Sequence, residues 1–435
     1  MKTRASHSLL LTSLVLAAAA VVAGCDSGSD STSSTQTTST QSGGAGGSAG
    51  SGGTTGGSGG QGGGVGGANL ACADDASLTE AEKSLIFMPA DSWMEVPNSH
   101  FIDFCPAHEP EGAHTVSGCA AIINAWGGGV WDPVHKKMIL WGGGHNDYWG
   151  NEVYGFSPQT FQWELLVPGT PVPTIDDLSE PMPDGSPDSR HTYDGLAYLT
   201  TENRLFAYGG ALAPDGSSSV LTWALDLDQK AWSQLDAGQT LPPNPNGYYW
   251  MGTAYDEAGH QVWMRNESGV YVYDIAADTW ERLIDAGFPP LWPDWAQSAY
   301  RRGVFDPKRK LFFTLGGKHS DGKPDFFAFD TVSKQPVYDV WQTTDGDEIA
   351  GGHAPGADHD PTADAIVAWA GGSAWALDLA TKQWTQKSGA GAPAAQVENG
   401  TYGRFRYLSR YNVFILVNKP DENVYFYKHT GGCGR

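Results

Sequence analysis

The chain has 435 residues, with 26 Lys and Arg against 49 Asp and Glu, a formal charge of −23 and an isoelectric point near 4.7. Nucleic acid is excluded as a partner, because phosphate binding needs clustered Lys and Arg; the acidity is a solubility device. In chain order, residues 1–25 come first: Lys2, Arg4 and His7, an apolar run from Leu9 to Val22, then small residues before Cys25. A charged start, a short apolar core and a small-residue cut make a secretory signal. The run is too short to span a bilayer as a mature helix.

Val22-Ala23-Gly24-Cys25 looks like a bacterial lipobox, which implies that Cys25 is acylated and becomes the first mature residue; ordinary signal cleavage is the alternative. Residues 26–68 are almost only Ser, Thr, Gly, Gln and Ala, a composition that cannot bury enough apolar surface to order itself. They read as a tether with a root-mean-square span of about 35 Å. Asp26 resembles an inner-membrane retention signal of some bacteria, so periplasmic and cell-surface placement both stay open. The expected membrane contact is the N-terminal lipid only, and the expected state is a monomer.

Residues 69–435 form the folded domain, with Cys72, Cys105, Cys119 and Cys433. An even number in an exported chain predicts two disulfides. Of three pairings, Cys105–Cys119 and Cys72–Cys433 are preferred, the second pinning the ends of the domain together.

A repeat organises this domain. Its unit is a strand ending in an aromatic residue often followed by Asp, an apolar strand ending in Gly-Gly, a third strand, and a Trp a few residues on. Copies run through Trp131-Asp132 with Gly142-Gly143 and Trp163, and Tyr198 with Gly209-Gly210 and Trp232. Tyr255-Asp256 with Trp280 follows, then Phe305-Asp306 with Gly316-Gly317, His359-Asp360 with Gly371-Gly372 and Trp384, and last Arg406-Tyr407. The unit resembles the kelch repeat over residues 84–430 and implies an all-β, six-bladed kelch-type propeller related to the central domain of galactose oxidase; a seven-bladed ring and an open solenoid are the alternatives. The sixth copy has three strands, and Ser92 to Pro97 is expected to supply its fourth and close the ring. Helix is confined to a turn or two over Leu78–Leu85.

In such blades the loop entering the first strand and the loop from second to third strand share a face. Five residues before each reference aromatic stand Trp126, Tyr193, Trp250, Tyr300, Ala354 and Tyr402. Asn124, Arg190, His191, Tyr248 and His353 lie just upstream, Arg301, Arg302 and Arg404 just inside, and His145 on the second-to-third loop of the first blade. Aromatic rings among Arg, His and Asn suit a sugar, whose CH faces stack on rings while its polar groups take hydrogen bonds. A glycan ligand at this mouth is the expected function.

Two alternatives are a protein-binding surface adhesin and an enzyme. Propeller-fold polysaccharide lyases look similar in having a His after the Gly-Gly of an early blade. That likeness implies β-elimination on a uronate, with His145 as base, Tyr193 as acid, and Arg190 and Asn124 on the carboxylate; Asn124 stands where those enzymes tend to have His. A galactose-oxidase-type copper centre is disfavoured because the blade mouths carry no Cys. No cofactor is expected; a bound divalent metal, through His145, Asp147, His319 and Asp321, is the alternative.

Overall fold

The computed structural model describes residues 77–433 except 214, 243–246, 286–299, 320 and 338. Residues 1–68, expected to be leader and tether, and Cys72 lie outside the described residues.

The Asp that follows the strand aromatic closes a turn. Between first and second strands, Asp132 accepts from the backbone N–H of Val134 and His135 (2.8 and 3.0 Å), Asp306 from Lys308 and Arg309, and Asp360 from Thr362 and Ala363. The turns into the outer strands repeat the device with Asp226, Asp274, Asp330 and Asp378. Each turn ends on a left-handed residue, such as Lys136, Lys310 or Asn412 in the inner series and Phe161, Lys230 or Lys382 in the outer. An Asx-capped turn followed by a left-handed residue is a standard way to join antiparallel strands, so one short motif, copied many times, folds the chain into up-and-down blades.

Six four-stranded antiparallel sheets result. Their innermost strands are Val130–Asp132, Leu196–Leu199, Gly252–Asp256, Arg302–Asp306, Gly356–Asp360 and Phe405–Leu408. Each packs beside the next, and the last beside the first. The protein is therefore a six-bladed β-propeller. Ser92–Val96 pairs with Val424–Lys428, in register from Ser92 opposite Lys428 to Val96 opposite Val424, and is the outer strand of blade 6. Trp93 locks this closure. Its ring lies 4.8 Å from that of Tyr427 and 6.2 Å from that of Trp369 in blade 5, and its Nε1 donates to the Ser388 carbonyl at 3.2 Å.

The core is the set of apolar faces between blades, as where Trp263 of blade 3 meets Phe312 and Phe329 of blade 4. Ahead of the closing strand, Glu80–Ile86 is a helix with a reciprocal Thr79–Glu82 capping box. Cys105 and Cys119 form a disulfide. Cys433 is disulfide-bonded, and the partner expected for it, Cys72, lies outside the described residues.

Candidate functional site at one end of the channel

The six lead-in positions share an unusual backbone. Trp126, Tyr193, Trp250, Ala354 and Tyr402 have φ of 49°, 48°, 54°, 40° and 48°, and Tyr300 holds the remaining place. Left-handed backbone costs an L-residue about 1–2 kcal/mol and is rare for bulky side chains. Repeated around the ring, it aims the side chains at the axis. Ring contacts between blades that are not neighbours prove the convergence. Trp126 of blade 1 stacks near Tyr300 of blade 4 at 6.4 Å, and Tyr193 of blade 2 reaches Tyr300 at 6.1 Å and Tyr402 of blade 6 at 6.2 Å; between neighbouring blades 3 and 4, Trp250 meets Tyr300 at 6.1 Å.

Beneath these rings an ion pair crosses the channel. Asp194 receives Arg302 Nη1 at 2.8 and 2.9 Å and the backbone N–H of Thr253 and Gly303 at 2.8 Å each, while Arg302 Nε donates to the Ala357 carbonyl. Blades 2 to 5 meet at this floor.

Polar groups stand at one side of the rings. His191 Nε2 lies 3.0 Å from Asp147 Oδ2, and the His191 ring packs 4.9 Å from Trp126 and 5.4 Å, edge-on, from His145. Burial pushes the His191 pKa down, against a partial pull upward from Asp147, so the imidazole is neutral near pH 7 and held in one orientation by the carboxylate. Burial raises the pKa of the Tyr193 phenol, with Tyr300 and Tyr249 adding to the rise; it remains a proton donor. The exposed His353 packs 4.5 Å from Tyr300. Two buried polar atoms, Trp126 Nε1 and Tyr402 Oη, lack a hydrogen-bond partner among the described residues.

Backbone shape brings His145 here. A Cβ on Gly144 (φ +39°) would sit 2.3 Å from Arg190 Cα, so only glycine lets the loop cross that strand. His145 then meets the loop of blade 2 at Gly216, whose carbonyl accepts from Tyr249 Oη at 2.8 Å.

Of the residues the sequence singled out, Trp126, His145, His191, Tyr193, Trp250, Tyr300, His353 and Tyr402 belong to this cluster. The three arginines are engaged in the interior. Arg190 is buried, bonded to Glu180 and to the Gly209 and Asp188 carbonyls. Arg301 donates to buried Asp325 at 2.9 Å, which also takes Arg265. Among the described residues Arg404 donates only to backbone carbonyls, those of Gly127, Gly400, Val417 and Asn418, and burial lowers its pKa to about 9. Tyr248 is buried against Tyr271 with its hydroxyl on the Pro242 carbonyl. Asn124 ends the short helix Ala121–Asn124, and its carbonyl accepts from Asn399. Sequence reasoning missed Tyr249, whose ring lies 6.3 Å from Tyr193 and 5.8 Å from Trp250, and the pairing of Asp147 with His191. The run Tyr248-Tyr249-Trp250 was the available signal for the first.

For a metal, His319 sits 3.7 Å from Asp325 and Asp321 pairs with Lys323. Among the described residues one group has metal-ligand proximity, Asp306, His359 and Asp364. Its carboxylates are already held by Arg309 at 2.6 and 2.8 Å and by Lys308 at 2.6 Å. The protein's own cations fill that place. No protein-family model and no curated protein sequence matches the chain.

Proposed function

We propose that the protein is a kelch-type propeller, tethered through a lipid on Cys25 at a bacterial membrane, that binds a carbohydrate at the aromatic end of its channel. The observation that carries this is the convergence of Trp126, Tyr193, Trp250, Tyr300 and Tyr402 on the axis beside the His191–Asp147 pair. Rings offer faces to sugar CH groups, and imidazole and carboxylate take hydroxyls. The unpartnered Trp126 Nε1 supplies a donor that a sugar oxygen satisfies. Because Arg190, Arg301 and Arg404 are spent internally, a neutral sugar suits this end better than a uronate. The Gly-Gly motifs support the kelch assignment.

A second reading, β-elimination, is favoured by one observation. A neutral imidazole oriented by Asp147 lies 6.2 Å, ring to ring, from a protonated phenol, Tyr193, with His145 beside it, which is the makeup of a base and acid pair.

Titration of the tryptophan fluorescence with neutral and uronic oligosaccharides separates these readings. Binding is expected with neutral sugars, with Trp250→Ala and Tyr300→Ala each weakening it about tenfold and His145→Ala changing it little. Unsaturated ends forming with a uronic polymer and lost in His191→Ala would establish the lyase instead. Absence of both binding and product would refute a glycan site.

A further inference from the structure

The channel has a second end, beyond the Arg302–Asp194 floor, and its chemistry differs. A cavity of about 460 Å³ opens there among the C-terminal ends of the innermost strands and their turns, with Arg302, Thr253 and Gly303 at its inner wall. That volume lies within the roughly 300–1,000 Å³ that accommodates small ligands.

One position before the reference aromatic, five blades place Ala197, Ala254, Val304, Asp358 and Arg406 on the cavity wall. Three are small and aliphatic and two, from adjacent blades, are charged. Asp358 is engaged: it accepts the backbone N–H of His359 and of Tyr407, each at 3.0 Å. Arg406 is not. Its nearest carboxylate oxygen is Asp358 Oδ2 at 3.9 Å, beyond hydrogen-bond reach, and among the described residues nothing in the protein accepts from its guanidinium. Every other arginine of the channel wall, Arg302 and Arg404, is hydrogen-bonded several times over. A planar fork of donors without an acceptor, lining a cavity, is matched to a carboxylate.

The rings around it are fixed in place. Tyr407 Oη donates to Asn412 at 2.8 Å, Tyr198 Oη to Asn203 at 2.6 Å, and Tyr255 Oη lies 3.2 Å from Thr201 Oγ1. Their hydroxyls are tied to turn residues, so they present faces and not polar edges to the cavity, together with Trp131 and Phe305.

We infer that this end of the channel is a second ligand site, for a small monocarboxylate carrying a ring, with Arg406 gripping the carboxylate and Tyr255, Phe305, Tyr407 and Trp131 enclosing the ring. Asp358 and Glu257 on the same wall select against ligands with a second negative charge. Uronic acids and aromatic acids share this chemistry.

The test is calorimetric titration of the folded domain with glucuronate and with 4-hydroxybenzoate, each against its uncharged counterpart, glucose and 4-hydroxybenzyl alcohol. At least one carboxylate is expected to bind and its counterpart not to; which one binds identifies the source. Arg406→Met and Arg406→Gln should each weaken binding by tenfold or more, the loss of a charge-assisted pair. Both should change the melting temperature little, because among the described residues the guanidinium makes no hydrogen bond and only the long, 3.9 Å ion pair to Asp358. Trp250→Ala, at the far end, should leave this binding intact, which separates its failure from failure of the glycan reading. Binding of neither acid, equal binding of a neutral counterpart, or undiminished binding in a folded Arg406 variant would overturn the assignment.

Discussion

Glu152 makes stability depend on pH in a way that one substitution isolates. Its Oε1 accepts from Tyr148 Oη at 2.5 Å and from Tyr154 Oη at 3.0 Å, while its Oε2 is buried with no partner among the described residues. Burial outweighs the two phenols and pushes its pKa from 4.5 up to about 7. The folded state therefore holds this proton across a window in which the unfolded chain releases it. Below about pH 4.5 both states are protonated and there is no difference. As pH rises through the window the folded state is penalised, and above about 7 the penalty is complete. At 1.36 kcal/mol per pH unit it amounts to about 3 kcal/mol. Glu152→Gln keeps the acceptor for both tyrosines and cannot ionise. Guanidinium unfolding of both proteins from pH 4.5 to 8 should show the Gln variant gaining about 3 kcal/mol on the parent across the range, with every other titrating group cancelling. A flat difference, or one with the parent gaining as pH rises, would refute the reasoning. Tyr148, which donates to Glu152, lies under the loop that carries His145 and Asp147, since a Cβ on Gly143 would meet Tyr148 at 2.9 Å.

Two further outcomes are expected. Trp93→Ala removes the ring that joins the closing strand to blades 5 and 6, and should lower unfolding free energy by about 3 kcal/mol; a loss under about 1 kcal/mol by chemical denaturation would show that the strand pairing alone closes the ring. Cys25→Ala should move the protein from the membrane to the soluble fraction in cells, because the proposed anchor is a lipid; retention in the membrane fraction would defeat that proposal.

The repeat was legible because its signals are local. An Asp caps a turn two or three residues away, and a glycine pair or a strand aromatic recurs at blade spacing, so blade number and the closing strand follow from one pass along the chain. The site was legible only in part because side-chain direction is not local. Tyr248 and Tyr249 differ by one position, yet the second lies beside Tyr193 and Trp250 while the first packs on Tyr271. The arginines were harder still. Arg302 finds Asp194 108 residues earlier, and Arg404 finds the Gly127 carbonyl 277 residues earlier; no spacing in the sequence announces either partner.

Those buried arginines have a common cause in the geometry of a propeller. Each innermost strand pairs on one side only, so its other edge faces the channel with backbone N–H and C=O groups that no strand can satisfy. Side chains satisfy them here. Thr192 Oγ1 takes the N–H of Gly128, Asp194 those of Thr253 and Gly303, and Asp358 that of Tyr407, while Arg302 and Arg404 donate to the carbonyls of Thr253, Ala357, Gly127 and Val417. Charged residues near the first strands are thus required by the fold before any ligand is considered, and their mere presence at a mouth says little about function. The informative residues are those that this requirement does not explain: at one end Trp126 Nε1 and the His191–Asp147 pair, at the other the guanidinium of Arg406, which among the described residues makes no hydrogen bond.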